Sequence, residues 1–209
     1  MGRYQELIDY HLQDEVRQAQ QSLSRDNIQR SMGGGPVQRA LSPQIASQFP
    51  ILNMLNTKYF IAPGRNNQEF AIQNPERYGN AWFVENLQPV PDADQLILKL
   101  GEINPEQTAL YNTTDYPAYL SDFQLNYDPS ARIELTKYEQ NELKYQTKAS
   151  SPQFAVFSEI YYNDEKGWKA YIDGERVEHM RVNYVLRGMK IPEGEHTIHF
   201  KFEPTRLYN

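Results

Sequence analysis

The sequence predicts an α+β fold in which N-terminal helices pack on a mainly antiparallel β-sandwich of the jelly-roll or immunoglobulin-like kind. Apolar residues recur every three or four positions up to residue 57 and every second position from residue 58 onward. All but Tyr4, Tyr10 and Phe49 of the aromatic residues lie after residue 58, and aromatic side chains are enriched in strands. We therefore expect a helical portion over 3–57 and a sandwich portion over 58–209.

The helical portion is predicted to contain two helices. The first covers residues 3 to about 31 and ends at the glycine-rich run 32–36. Its apolar stripe consists of Tyr4, Ile8, Leu12, Val16, Ala19 and Leu23. Ser42 and Pro43 have the chemistry of an N-cap and a first helical residue, so a second helix begins there. Pro50 is expected to kink or interrupt it.

The sandwich portion consists of short alternating runs separated by turn residues. A short helical insertion is predicted near 92–110, with Asp92 capping one helix and Asn104 capping a second. Asp173-Gly174 predicts a two-residue hairpin with a type I′ turn, because that turn needs positive φ at both central residues. The run from Val182 to Arg187 is predicted to be a single strand.

Composition excludes several classes of function. The 21 basic and 27 acidic residues give a formal net charge of −6, which argues against nucleic acid as a partner. The absence of cysteine excludes disulfides, thiolate zinc sites and cysteine nucleophiles. His196 and His199 are three positions apart on a predicted strand, so they face opposite sides and cannot hold one metal ion. We therefore predict no catalytic residue, no metal site and no cofactor.

Aromatic residues of the last five strands are the remaining candidates for a binding site. Trp168 shares a strand face with Ala170 and Ile172, so it most simply fills the core. The alternative is a sugar platform, in which flat rings stack on a pyranose and polar groups bond its hydroxyls. The candidate ligand-binding residues are Tyr161, Tyr162, Trp168, Tyr171, Asn183, Tyr184 and Arg187.

An ordered series of motifs covers nearly the whole chain. The motifs are GWKAYIDG at 167–174, NYVLRG at 183–188 and a run with alternating apolar residues at 191–204, with upstream stretches at 3–11, 52–61 and 79–84. Together they resemble the C-terminal extracytoplasmic region of YfhO-like bacterial membrane proteins, in the variant found in Bacteroidetes.

The resemblance implies a parent with many transmembrane helices, similar to GT-C-type glycosyltransferases that take a sugar from a lipid-linked donor. In such parents the catalytic acidic residue lies in a membrane-proximal loop near the start of the chain, and a last membrane helix follows the segment corresponding to Phe202-Glu203-Pro204. We therefore expect a non-catalytic domain on the extracytoplasmic, periplasmic side of the cell membrane. Its connection to the membrane would run through transmembrane helices outside this sequence.

The leading interpretation is a domain that supports glycosyl transfer by positioning or recognising a glycan or a lipid-linked sugar. A second interpretation is a purely structural or protein-interaction domain without a ligand. In that case Tyr161, Tyr162, Tyr171 and Tyr184 should be buried or scattered. A third, a secreted glycoside hydrolase, requires two carboxylates that converge in one cleft.

Overall fold

The computed structural model describes residues 2–30, 40–63 and 69–204. The chain forms two compact units, Met1–Gly79 and Asn80–Asn209. The predicted change from helix to strand is found at Tyr59, where the first strand begins, and it falls inside the first unit. The α+β class and the predominance of antiparallel sheet are confirmed.

The described residues of the first unit form one long helical segment, two short helices and a pair of strands. Its elements are α1 (Arg3–Leu7), a π-helical turn (Ile8–Leu12), α2 (Gln13–Arg30), α3 (Pro43–Ala46), α4 (Pro50–Met54), β1 (Tyr59–Pro63) and β2 (Glu69–Gln73). The two strands pair antiparallel, and α2 lies against both β1 and α4. The predicted break at 32–36 lies outside the described residues.

The π-helical turn changes which face of the first helix is buried. The buried side chains of this helix are Leu7, Leu12, Ala19 and Leu23. Tyr4 and Val16, which an unbroken 3.6-residue period assigns to the same stripe, are exposed. A π-helical turn inserts one residue into the helix, so positions five apart share a face there. The predicted stripe is therefore wrong at Tyr4 and Val16.

Proline residues define both short helices. Pro43 begins α3 after Ser42, whose side chain makes no capping hydrogen bond. The helix ends at Ala46, and Pro50 begins α4. The predicted interruption at Pro50 is confirmed, because proline cannot continue a helix but suits its first position.

A partly buried carboxylate caps helix α4. Glu15 of α2 accepts hydrogen bonds from the backbone N–H groups of Ile51 (3.0 Å) and Leu52 (2.9 Å), one on each carboxylate oxygen. These N–H groups belong to the first turn of α4 and have no partner within that helix. Burial raises the pKa of Glu15 from 4.5 to about 7, although the two hydrogen bonds oppose the shift.

The stability of the first unit should therefore depend on pH near neutrality. Because the pKa of Glu15 is raised in the folded chain, the folded state holds a proton that the unfolded state has released. The free energy of unfolding should fall by about 2 kcal/mol or less as the pH rises from 4.5 to 7, and Glu15 should add no further change above pH 7. Amide exchange of Ile51 and Leu52 measures this. Glu15→Gln, which does not titrate, should remove this component, and an unchanged slope in that variant would contradict the assignment.

The second unit contains eleven strands and one α-helix among its described residues. The elements are β3 (Ala81–Phe83), β4 (Asn86–Val90), α5 (Ala93–Leu100), β5 (Thr108–Asn112), β6 (Arg132–Glu139), β7 (Glu142–Ala149), β8 (Gln153–Ile160), β9 (Trp168–Ile172), β10 (Glu175–Val177), β11 (Met180–Val182), β12 (Leu186–Ile191) and β13 (Gly194–Phe202). A 3₁₀ turn, Asp164–Lys166, precedes β9.

Two antiparallel sheets form the sandwich. The strand order is β10-β9-β13-β7-β6 in one sheet and β11-β12-β8-β3 in the other. Their inner faces share one core, whose buried members are Leu143, Tyr145, Ala155, Phe157, Ala170, Met189, Ile191, Ile198 and Phe200. Trp168 and Ile172 pack against this core as predicted from their shared strand face. The turn at Asp173-Gly174 has φ values of 52° and 90°, as the type I′ prediction requires.

The structure corrects two predicted elements of the second unit. The helix expected at Asn104 is a turn. In this turn the side-chain oxygen of Asn104 accepts a hydrogen bond from the N–H of Glu106. The turn leads into β5, which pairs parallel with β4. Helix α5, whose N-terminus is capped by the side chain of Asp92, lies between these two strands in the chain. The single strand expected over Val182 to Arg187 is β11, a tight loop and β12. Positive φ values at Asn183 and Tyr184 (46° and 72°) break it.

Candidate functional site

The seven candidate residues do not form one cluster. Trp168 and Arg187 meet at one end of the sandwich, and Tyr161 lines a groove. Asn183 and Tyr184 lie in the loop between β11 and β12, and Tyr171 is on the outer face of the five-stranded sheet. Each place has its own chemistry.

Arg187 and Trp168 form a buried cation–π contact. The guanidinium of Arg187 lies 4.4 Å from the centre of the Trp168 ring and 5.1 Å from that of Phe200. Its Nε donates to the carbonyl of Ile160 (3.0 Å). Burial lowers the pKa of Arg187, and the nearby Glu159 opposes that shift. One face of the indole is therefore covered from within the protein, which favours packing over sugar stacking for Trp168.

Asn183 and Tyr184 are buried parts of the fold. Asn183 accepts from the N–H of Leu110 through its side-chain oxygen (2.8 Å) and donates its own N–H to the carbonyl of Leu110 (3.0 Å). These two bonds join the β11–β12 loop to β5. Tyr184 is 3 % exposed, so its ring does not present a surface to a ligand.

Tyr171 belongs to a polar network on the outer face of the five-stranded sheet. Its hydroxyl donates to the carboxylate of Glu203 (2.9 Å). Its ring lies near the His199 ring and near the ammonium of Lys201. Tyr162 is 43 % exposed and has the ammonium of Lys166 over its ring. Neither Tyr162 nor Tyr171 is among the described residues that line the groove of Tyr161.

A long connection between β5 and β6, residues 113–131, forms one wall of a groove with Tyr161. Long loops without secondary structure are uncommon inside compact domains and often carry function. The loop is fixed at its end by Asp128, which accepts from the N–H and hydroxyl groups of Ser130 and Ser150. These four bonds lower the pKa of Asp128. The end of the loop is thus tied to the segment that follows β7.

We name this depression, of about 560 Å³, the aromatic groove. Tyr116 and Tyr119 from the loop face Tyr161, which follows β8, and His179 lies beside Tyr161 with ring centres 5.1 Å apart. Tyr116 packs edge-on against both other tyrosines, at 6.4 Å from Tyr161 and 6.5 Å from Tyr119. The volume of the aromatic groove lies within the range of roughly 300–1,000 Å³ found for small-molecule sites.

Hydrogen bonds position the tyrosines of the aromatic groove. The Tyr119 hydroxyl donates to the backbone carbonyl of Glu178 (2.8 Å), and burial raises the pKa of Tyr119 above its ordinary range. The Tyr116 hydroxyl accepts from the N–H of Arg181 (2.9 Å). The guanidinium of Arg181 also lies over the Tyr161 ring at 5.0 Å. Tyr116 is therefore tied to β11, and Tyr119 to the segment between β10 and β11.

The polar groups of the aromatic groove are mainly acceptors. Asp115, Glu165 and Glu178 line it with exposed carboxylates, of which Asp115 lies 3.7 Å from Arg181. Asn163 contributes a side-chain oxygen that is buried and has no hydrogen-bond partner among the described residues. A buried acceptor without a partner is costly. A ligand in the groove would remove that cost only when the Asn163 side chain turns to expose its oxygen.

Sequence patterns identified only Tyr161 of this groove. Tyr116, Tyr119 and Asn163 lie in irregular segments, where periodicity gives no information about facing. The signal that could have found the two tyrosines is the density of tyrosines in a long connection; no signal in the sequence marks Asn163. Within the described ranges, no group of three or more His, Asp and Glu side chains is arranged to hold a metal ion.

Comparison with known proteins identifies a family. The model of a family described as bacterial membrane protein YfhO matches residues 54–209, which include the whole second unit. Neither a curated protein nor a solved structure matches the chain. Within the described ranges, no helix combines the length and apolar composition needed to cross a bilayer.

Proposed function

The chain belongs to the YfhO family of bacterial membrane proteins, and from that premise we propose that it is a non-catalytic domain on the extracytoplasmic side of the membrane. Its role would be to position or recognise a glycan or lipid-linked sugar for glycosyl transfer by the parent protein. The membrane connection would run through transmembrane helices outside this sequence. The aromatic groove is the proposed binding site.

The observation that carries this proposal is the pairing of tyrosine walls with an unpartnered acceptor in one groove. Tyr116, Tyr119 and Tyr161 supply apolar ring surface, while the side-chain oxygen of Asn163 lacks a donor among the described residues. A sugar combines apolar C–H faces with hydroxyl donors, so it complements both features. Apolar walls with a few placed polar groups are the general pattern of small-ligand sites.

The burial of several candidate residues favours the second interpretation, a structural or protein-interaction domain. Asn183, Tyr184 and Arg187 are at most 3 % exposed, and the four tested tyrosines are scattered or buried. That interpretation accounts for the last strands. The unpartnered oxygen of Asn163 weighs little against it, because Asn183 and Arg187 also have a buried side-chain nitrogen without a partner among the described residues. The glycoside hydrolase is less supported, because the three carboxylates of the groove are exposed and a glycosidase acid sits in apolar surroundings.

Replacing Asn163 by alanine distinguishes a ligand-binding role from a structural one. If the groove binds a glycan, Asn163→Ala should weaken that binding about tenfold, because one hydrogen bond is lost. Stability should stay the same or rise, since no internal hydrogen bond to the side-chain oxygen is removed among the described residues. Binding is measured by calorimetry with ligands selected from a glycan array, and stability by denaturant unfolding.

Asn126→Ala is the matched control, because Asn126 is an exposed asparagine in the 113–131 connection and does not line the groove. It should change neither binding nor stability. Unchanged glycan affinity in Asn163→Ala would exclude the groove as the binding site. Absence of binding by the wild-type domain at millimolar glycan would leave only a structural role.

A further inference from the structure

The imidazole of His196 joins two turns at one end of the sandwich. Its Nδ1 lies 2.6 Å from the Oδ2 atom of Asp173, in the turn between β9 and β10. Its Nε2 lies 2.9 Å from the backbone carbonyl oxygen of Glu193, in the turn between β12 and β13. One side chain near the start of β13 therefore contacts both turns.

Both partners of the His196 ring are hydrogen-bond acceptors. A neutral imidazole has one N–H group, whereas the imidazolium has two, and neither a carboxylate nor a backbone carbonyl has a proton to donate. The two contacts together therefore require the protonated, positively charged ring. The hydrogen bonds to Asp173 and to the Glu193 carbonyl raise the pKa of His196, and burial opposes them. The same contact lowers the pKa of Asp173, so that its carboxylate is ionised.

The other elements around the ring supply no competing charge. Strand β7 contributes Thr147, which is neutral and whose hydroxyl donates to the backbone carbonyl of His196 (3.3 Å). The exposed side chains of Lys148 on β7 and Glu195 on β13 lie 2.7 Å apart and pair with each other. Asp173 is thus the charged side chain that holds the His196 proton.

The two turns differ in how they are attached to β13. The Oδ1 of Asp173 accepts from the N–H of Thr197 (2.8 Å), and the N–H of Asp173 donates to the Thr197 carbonyl (2.9 Å). These two bonds do not depend on the His196 proton. The contact of the ring with the Glu193 carbonyl does depend on it. Next to Glu193, Pro192 forms part of the wall of a depression of about 650 Å³.

We propose that protonated His196 is a pH-sensitive clamp that fixes the turn between β12 and β13 against the turn between β9 and β10. When the ring loses a proton to solvent, Nδ1 keeps its hydrogen, because the carboxylate is the stronger acceptor. The lone pair of Nε2 then faces the Glu193 carbonyl oxygen, and the two repel each other. The turn that carries Pro192 is therefore released as the pH rises through the raised pKa of His196, and it is fixed again when the pH falls.

The test is an NMR titration of the histidine rings and of the Glu193 carbonyl carbon in the whole chain. It runs from about pH 5 to about pH 9, on both sides of the ordinary histidine pKa of about 6.5. His196 should titrate above that value, and ring nitrogen shifts should place the proton of the neutral ring on Nδ1. The Glu193 resonance should move with the same midpoint. His199 on the same strand is the internal control, because burial and two nearby lysines lower its pKa.

Asp173→Asn should reverse the preference of the ring. Asparagine suits the positive φ of this turn (52°), and its side-chain oxygen still accepts from Thr197. Its Nδ2 donates to Nδ1 of a neutral ring, whose Nε2–H then bonds the Glu193 carbonyl. His196 should therefore bind its proton at least about tenfold more weakly than in the wild type, and its neutral ring should carry the hydrogen on Nε2.

Two glutamine variants complete the test. His196→Gln does not titrate and should abolish the pH-dependent movement of the Glu193 resonance, whereas His199→Gln should leave that movement unchanged. The clamp would be overturned by a His196 that titrates at or below the ordinary value, by a Glu193 resonance that does not follow it, or by unchanged proton affinity in Asp173→Asn. None of these measurements involves a glycan, so their failure would leave the proposed function standing.

Discussion

Replacing Phe157 by alanine should lower the free energy of unfolding of the sandwich by about 3–5 kcal/mol, the usual cost of removing a buried phenylalanine. Phe157 is completely buried on β8. Its ring packs edge-to-face on Tyr145 and Phe200 of the opposite sheet, with both pairs of ring centres 4.9 Å apart. Truncation leaves a cavity where the two sheets meet and removes both aromatic contacts.

Denaturant unfolding of the Phe157→Ala variant measures this loss. Phe202→Ala is the matched control, because Phe202 is 37 % exposed at the end of β13. It should cost about 1 kcal/mol. If the two variants lost equal stability, Phe157 would not be the centre of the contact between the sheets.

Replacing Asn183 by alanine should cost about 3 kcal/mol. The change leaves the buried N–H of Leu110 without its acceptor, which costs about 1–3 kcal/mol. It also places alanine at φ 46°, a region that disfavours residues other than glycine and asparagine by about 1–2 kcal/mol. The Nδ2 of Asn183 has no partner among the described residues. The side chain therefore stabilises the fold through the hydrogen bond to its oxygen.

Asn183→Gly separates the two causes. Glycine adopts positive φ readily but cannot accept from Leu110, so this variant should be more stable than Asn183→Ala by about 1 kcal/mol. Both are measured by denaturant unfolding, together with glycan affinity of the folded protein. A loss of affinity at wild-type stability would restore Asn183 as a ligand-binding residue and contradict its assignment to the fold.

The candidate site illustrates the reach of sequence patterns. Strand alternation correctly places Trp168 on the core face and Tyr171 on the outer face, because neighbouring side chains of a strand point to opposite sides. The same pattern carries no information about Tyr116 and Tyr119, which lie in a connection without a period. Their meeting with Tyr161 depends on hydrogen bonds to Arg181 and Glu178, which lie far along the chain.

The sequence by itself determined the features that depend on neighbouring residues. These include the strand period from residue 59, the interruption at Pro50, the cap of α5 at Asp92 and the turn at Asp173-Gly174. Each follows from the conformational preference of one or two residues or from simple alternation, so no distant contact is needed to specify it.

Only the tertiary structure decided the features that depend on distant partners. The π-helical turn before Gln13, the parallel pairing of β4 with β5 and the positive φ at Tyr184 all oppose the local pattern. The choice of buried residues in α1 and α2 also depends on distant partners. So do the hydrogen bonds between Asn183 and Leu110. The aromatic groove belongs to this second class, because its walls come from segments that only the folding of the second unit brings together.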